Sequence, residues 1–364
     1  MTSAAPAGGE PGGGPGGIAF GVDVGGTKVL GVALRGDRVV AEVRVPTRPG
    51  GADRGGGPTG EEVVGAIDAV VGDLARMAAD RTGVAPSGGR RPPLGVGVPG
   101  MVDRSGVLRF APNLPGAGGT DVRGLLERRR WPPPPTTAAP PAAAPPVPVV
   151  VDNDANLAVF AEYRLGSARD ADHVLMVTLG TGIGGGVVRG GRVVTGSAGF
   201  AAEVGHMVVD PSGPPCPCGR RGCWEQLASG GALQRLTGEA ARAGVLAPMV
   251  AGAGGDPGGV RAEQVTDAAA RGDEGALAVM ERLAWWVALG LANLAAVLDP
   301  SLIVVGGGLG EAGEVLLGPT RRAFAGMVEG GGVRPRIDIV GAGLGERAGA
   351  IGAALAAREG GLPA

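Results

Sequence analysis

IAFGVDVGGTKVLGVAL, residues 18–34, decides the fold: a β-branched run, a glycine corner and a second apolar run predict a hairpin, not a strand entering a helix. VVAEVRV at 39–45 supplies a third strand. A Gly-rich loop (50–60) leads into a helix from about Gly60 to Ala79, and LGVGVPG at 94–100 reads as a short buried strand ending on a turn. The order is β-β-β-α-β. The pattern then recurs: VPVVVDNDA is a strand and turn, a helix runs through about Tyr163, and HVLMVTLG, a glycine turn and GGGVVRGGRVV form a second hairpin. PSLIVVGGGLGEAGEVLL adds a strand, a glycine turn and a helix, and an Ala-rich helix spans about Glu346 to Arg358. Two α/β halves, each opening with a Gly-cornered hairpin, are expected.

The expected divisions are a disordered leader (1–17), a small domain (18–150) completed by the C-terminal helix (346–364), and a larger domain (151–345). WPPPPTTAAPPAAAPPVP, 131–148, is low-complexity and Pro-dense, so it reads as an extended surface insert. The leader lacks the basic and apolar regions of a signal peptide. Ala276–Leu298, with Trp285-Trp286, is apolar enough to suggest a membrane span, but Asn293 and a short uninterrupted core favour a buried helix.

Composition excludes some functions and weakens some motifs. With 33 Lys+Arg against 35 Asp+Glu and a net charge of −2, the chain lacks the basic surface that nucleic-acid binding requires. Glycine fills 74 of 364 positions. At that frequency G-x-G-x-x-G arises by chance about three times, so its occurrences at Gly95/Gly97/Gly100 and Gly180/Gly182/Gly185 are no evidence of a dinucleotide site. Lysine is the informative residue, because Lys28 is the only one in the chain. Its retention amid arginine points to a site where a guanidinium will not serve.

Asp23-Val-Gly-Gly-Thr-Lys28 puts an acid, Gly25, Gly26, the Thr27 hydroxyl and the Lys28 amine on one tight corner. Glycines let backbone N–H groups approach an anion, and the hydroxyl and amine complete a phosphate cradle. Leu179-Gly-Thr181-Gly182-Ile-Gly-Gly-Gly186 repeats the arrangement, and Gly306, Gly307 and Gly308 form a third turn suited to the rest of a nucleotide. His206, Cys216, Cys218 and Cys223 follow the order H-x9-C-x-C-x4-C, the ligand set of a closed, structural zinc site, with Gly219 and Gly222 allowing sharp turns. Three cysteines in eight residues fit a metal site in a reducing compartment better than disulfides. Asp152 and Asp154 flank Asn153 at a strand end, and Glu203 and Glu225 bracket the metal ligands. Such carboxylates suit a polyhydroxylated ligand, and an ionised Asp beside a hydroxyl can act as general base.

These residues resemble the ROK family of sugar kinases, most specifically in Glu203-Val-Gly-His206 followed by Cys216-Pro-Cys218-Gly-Arg-Arg-Gly-Cys223-Trp-Glu225. The resemblance covers nearly all of 18–358. It implies a two-domain actin/hexokinase-like (ribonuclease H-like) α/β fold with an interdomain cleft closing over a sugar and MgATP. By similarity, Asp23–Lys28 and Gly180–Gly186 are the phosphate motifs, and Gly306–Gly308 lie near the adenosine. Asp154 is the general base for the sugar's 6-hydroxyl, and Asn113, Asn153, Glu203, His206 and Glu225 hold other hydroxyls. His206 then puts one ring nitrogen on Zn²⁺ and turns the other to the ligand. The implied reaction is ATP-dependent phosphorylation of glucose in a cytoplasmic homodimer or homotetramer, with Mg²⁺ accompanying ATP and no nucleic-acid or membrane partner. Alternatives are mannose, fructose or an N-acetylhexosamine as acceptor, or a non-catalytic sugar-responsive regulator. A DNA-binding repressor of the family would need an N-terminal winged helix, for which 17 Gly/Pro-rich residues are too few. A dehydrogenase would need strand-turn-helix at Gly180. One departure stands out: many family members carry glycine where this chain has Ala202.

Overall fold

The computed structural model describes residues 17–47, 57–82, 92–129 and 149–363. The 131–148 insert and residues 1–16 of the expected leader lie outside them.

Two compact units divide the chain, one of residues 1–158 and 349–363, the other of 159–348. The first begins with β1 (Ile18–Val24), β2 (Lys28–Arg35) and β3 (Arg38–Pro46), followed by α1 (Gly60–Thr82) and β4 (Leu94–Val98). A small sheet of β5 (Met101–Val102), β6 (Val107–Phe110) and β7 (Thr120–Asp121) precedes α2 (Val122–Arg128) and β8 (Val149–Asn153). The main sheet runs β3-β2-β1-β4-β8: β1 to β3 are antiparallel, and β4 and β8 lie parallel to β1. The hairpin reading of 18–34 is therefore correct.

Glycine and alanine let helices lie almost on the backbone of this sheet. A methyl on Gly21 of β1 would meet the Ala350 carbonyl at 1.9 Å, and one on Gly95 of β4 would meet that of Ala353 at the same distance. Both carbonyls belong to α10 (Ala348–Glu359), whose alanines are buried. Gly31 of β2 receives Val70 and Leu74 of α1 in the same way. Tight approach gives this aromatic-poor core its density.

The second unit takes over within α3 (Asp154–Leu165). It holds β9 (His173–Leu179), β10 (Ile183–Arg189), β11 (Arg192–Val193), α4 (Glu225–Ala228), α5 (Gly230–Arg242), α6 (Ala247–Gly252), α7 (Ala262–Ala270), α8 (Glu274–Leu298), β12 (Leu302–Gly306), α9 (Glu314–Met327) and β13 (Asp338–Gly341). Its sheet, β11-β10-β9-β12-β13, repeats the first: an antiparallel hairpin, then two strands parallel to its first member. The α8 helix is long and apolar enough to cross a membrane, yet more than half of its most apolar window is buried in the unit's own core. It is a core helix.

Candidate functional site

In the first unit the site residues collect at the carboxyl ends of the parallel strands. Asp23 of β1 is in register with Gly97 of β4, and Gly97 with Asp152 of β8. Gly97 leaves room between the acids: a methyl there would lie 3.4 Å from both Asp23 Oδ1 and the Asp154 Cα. Gly349, where α10 begins, closes the other side, because its methyl would fall 2.7–3.0 Å from the Asp23 carboxyl atoms.

Packing of this kind makes ionisation costly. Burial, reinforced by the charge of Asp154, pushes Asp23 up to about 8 against the pull of Lys28. Burial likewise lifts Asp154 to about 6, although the backbone N–H groups of Ala155 and of Asp154 itself oppose it. A carboxyl held there can take up a proton nearer to neutral pH than an ordinary one.

Asn153 caps α3. Its Oδ1 accepts from the Ala155 and Asn156 N–H groups at 2.9 and 3.1 Å, and its Nδ2 donates to the Gly100 carbonyl at 3.0 Å. Most of its amide is committed to holding the turn, so one N–H is left for a ligand. Asp152 accepts from the Asn153 N–H and from Asn156 Nδ2, and burial raises its pKa. The turn between β1 and β2 is laced by Gly25 N–H to the Lys28 carbonyl and by buried Thr47, which donates through Oγ1 to Gly25 and through N–H to Thr27. Gly26 and Thr27 remain exposed, and exposed Asn113 sits with its backbone against Gly26.

In the second unit three segments grip the second turn. Leu309 N–H donates to Leu179 and Gly230 N–H to Gly180, while Glu225 Oε2 accepts from Ile183 N–H at 3.0 Å. Glycine at 182 leaves room for that carboxylate, since a methyl there would sit 2.2 Å from Oε2 and push it off the Ile183 N–H. Gly307, at φ +79, packs on Leu179, so Gly306–Gly308 and Thr181-Gly182 are brought together. The third turn does not open a helix directly, because a 3-10 turn (Gly310–Ala312) intervenes before α9.

His206 closes a 3-10 turn, Val204–His206, packed on β10 through Gly185 and Gly205. Its Nδ1 is 3.7 Å from Cys216 Sγ, and Cys218 Sγ is 3.6 Å from Cys223 Sγ. All four ligand atoms lie within 4.8 Å of one another. A tetrahedron with metal–sulfur bonds of about 2.3 Å has edges of about 3.8 Å, so the residues fit a four-coordinate metal. Gly219 and Gly222 take φ +89 and +66, and a methyl on Gly222 would overlap the Asp210 carbonyl. Burial raises the Cys218 thiol, but the Arg220 N–H and side chain and the neighbouring thiols outweigh it, leaving it at about 7; burial and the Cys218 and Cys216 thiols push Cys223 to about 12. Trp224 anchors the loop, its indole flat on Gly290 of α8 and its Nε1 donating to the Trp286 carbonyl at 2.7 Å.

Ala202 has φ 65, in the left-handed region that glycine adopts without the steric cost a Cβ brings. Sequence reasoning missed Gly97, Gly349, Thr47 and the Glu225 bond to the turn. Glu162 was missed as well: fully buried, it accepts the N–H groups of Ser167, Gly343 and Leu344.

A profile of the ROK family matches residues 19–359. The chain is 37% identical to the glucokinase of Streptomyces coelicolor over 350 residues, 94% of this chain and 98% of that one. A ROK family glucokinase from Streptomyces griseus, solved in complex with glucose and AMPPNP, is 36% identical with a TM-score of 0.77 over 94% of this chain and 100% of that one. A ROK hexokinase from Thermus thermophilus is 34% identical, with a TM-score of 0.64 over 93% and 97%. The chain shares their actin/hexokinase-like fold.

Proposed function

The chain belongs to the ROK family, and from that premise we propose that it phosphorylates glucose at the 6-hydroxyl with ATP as donor. The observation that carries the reading is Asp154: a carboxylate at the head of α3, beside Asp23, whose basicity is raised to about 6.

Asp154 takes the proton of the 6-hydroxyl as that oxygen forms its bond to the γ-phosphorus, and ADP leaves with the electron pair of the broken P–O bond. Phosphoryl transfer asks mainly for position and charge neutralisation. In the first unit Gly25, Gly26, Thr27 and Lys28 supply N–H groups, a hydroxyl and a cation to phosphate, and Asn113 and the remaining Asn153 N–H serve sugar hydroxyls. In the second unit Thr181 and Gly182 offer a second phosphate turn and Gly306–Gly308 a shelf for the nucleoside. Glu203, His206 and Glu225 accept from or donate to hydroxyls. The Glu225 oxygens each keep a lone pair beyond the protein donors they already accept from.

Asp23, beside the first turn, would hold the Mg²⁺ that accompanies ATP, giving up its proton on doing so, and the ion would supply neutralisation of phosphate charge. Zn²⁺ is the metal we assign to His206, Cys216, Cys218 and Cys223; four protein ligands leave no open position, so its work is to fix the loop. The Nδ1 of His206 faces the sulfurs, which leaves Nε2 for the sugar. The protein acts in this reading as a cytoplasmic homo-oligomer, a dimer or tetramer, with no nucleic-acid or membrane partner.

The test is ADP release with MgATP across glucose, mannose, fructose, N-acetylglucosamine and N-acetylmannosamine, with Asp154→Ala as control. Turnover on glucose that vanishes in the variant supports the reading. Turnover on another sugar alone replaces the acceptor, and no ADP above the variant background on any sugar overturns it.

A further inference from the structure

Gln226 follows Glu225 at the start of α4, and its side chain lies between the thiol cluster and that carboxylate. Its Nε2 is 3.8 Å from Cys216 Sγ and 3.3 Å from Glu225 Oε1. An amide nitrogen has two N–H groups, enough for both acceptors, whereas the flipped amide would set its oxygen against two acceptors. The orientation is therefore determined. The backbone is pinned too, with the Gln226 N–H donating to Cys223 at 2.9 Å and its carbonyl accepting from Arg235 at 3.1 Å.

We propose that Gln226 is a positioning residue that couples the metal centre to sugar binding through Glu225. The chain of bonds is continuous: Cys216 Sγ to Gln226 Nε2, Nε2 to Glu225 Oε1, and Glu225 Oε2 to the Ile183 N–H of the second phosphate turn. A Cys216 fixed by metal fixes the amide that donates to it. The amide holds one carboxylate oxygen while the turn holds the other. Without that donor the carboxylate keeps a single anchor, and it sits near sulfur with nothing between to relieve the repulsion of like charges. The inference rests on Glu225 as a sugar ligand, and linkage makes it reciprocal: if metal steadies the sugar carboxylate, bound sugar steadies the metal.

The experiment uses the full chain, metal-loaded, as wild type, Gln226→Met and Glu225→Gln, plus the double variant. Gln226→Ala gives the same comparisons if Met is not accommodated. Glucose affinity is measured by calorimetry, and metal loss by transfer to a chromogenic chelator. Gln226→Met is expected to weaken glucose binding about tenfold, the scale of one hydrogen bond to a charged group. It should also speed metal loss by roughly 10-fold, with kcat changed less than about threefold because the base is untouched. In the Glu225→Gln background the same substitution should weaken glucose binding no more than about twofold, since its route is already cut. An equal loss in both backgrounds, or unchanged affinity and metal release, overturns the coupling. A wild type that binds no glucose overturns the sugar assignment itself, a result distinct from binding that ignores Gln226.

Discussion

The two units use one strand order twice and furnish their hairpin turns in opposite ways. In the first, the charged groups lie at strand ends: Asp23 is the penultimate residue of β1, Lys28 begins β2 and Asp154 directly follows β8. In the second, the turn between β9 and β10 carries no charged side chain, and its charge is brought in by Glu225 from α4, behind a loop strapped by His206 and three cysteines. The end of a strand in a packed sheet suits a group whose position must be held to a fraction of an ångström. A cross-linked loop can be reshaped without disturbing the sheet, which suits recognition.

The contrast is broken most severely at Asp154. Asp154→Asn should lower kcat by about three orders of magnitude while leaving glucose binding measurable. The same change should raise the melting temperature, because it removes a costly charge. Its folded pKa lies above the ordinary carboxylate value, so the folded state holds the extra proton and stability falls as pH rises from about 4 through about 6. A thermal melt at pH 7.5 beside the kinetics checks both effects.

Next in size is metal removal. Chelation should raise the glucose KM by roughly 10- to 100-fold while nucleotide binding to the first unit's turn, followed by a fluorescent ATP analogue, changes little. Equal loss of both would erase the contrast between the units. Gly349→Ala drives a methyl onto the Asp23 carboxyl and should cost about tenfold in kcat, with a smaller change in glucose KM. The pH profile is gentler still: kcat/KM should fall about tenfold per unit below pH 6 and level above it, since the base must be unprotonated. Smallest is Ala202→Gly, which relieves a left-handed alanine and should add up to about 1 kcal/mol of stability, read by denaturant unfolding, with activity unchanged.

What was legible in the sequence was whatever neighbours along the chain determine. The hairpins show as paired β-branched runs about glycine, and the metal ligands fall within 18 positions, so both could be read directly. Asp154 was visible as an acid at a strand end. What stayed hidden depends on approach between distant segments. Nothing near Gly349 says that it faces Asp23, more than 300 residues away, and its glycine is unremarked in a chain with 74 of them. The Glu225 bond to Ile183 joins positions 42 apart, and its one trace is a glycine at 182. Asn153 shows a second kind of hidden role: legible as a polar residue at a strand end, it also caps α3 through Oδ1 and ties its Nδ2 to the Gly100 carbonyl. Ala202 lies between, since the departure from glycine was visible and its backbone cost was not.

Lys28 has a practical consequence. As the sole lysine, it makes the first turn the one side chain, beside the α-amine, that amine-directed reagents can mark. Incorporation of a succinimidyl dye, with and without nucleotide, would report occupancy at a single address without any engineered tag. A lysine-specific protease has one bond to cut in the whole chain, and that bond follows Lys28 where β2 begins, so the rate of a single cleavage would time the opening of the β1–β2 hairpin.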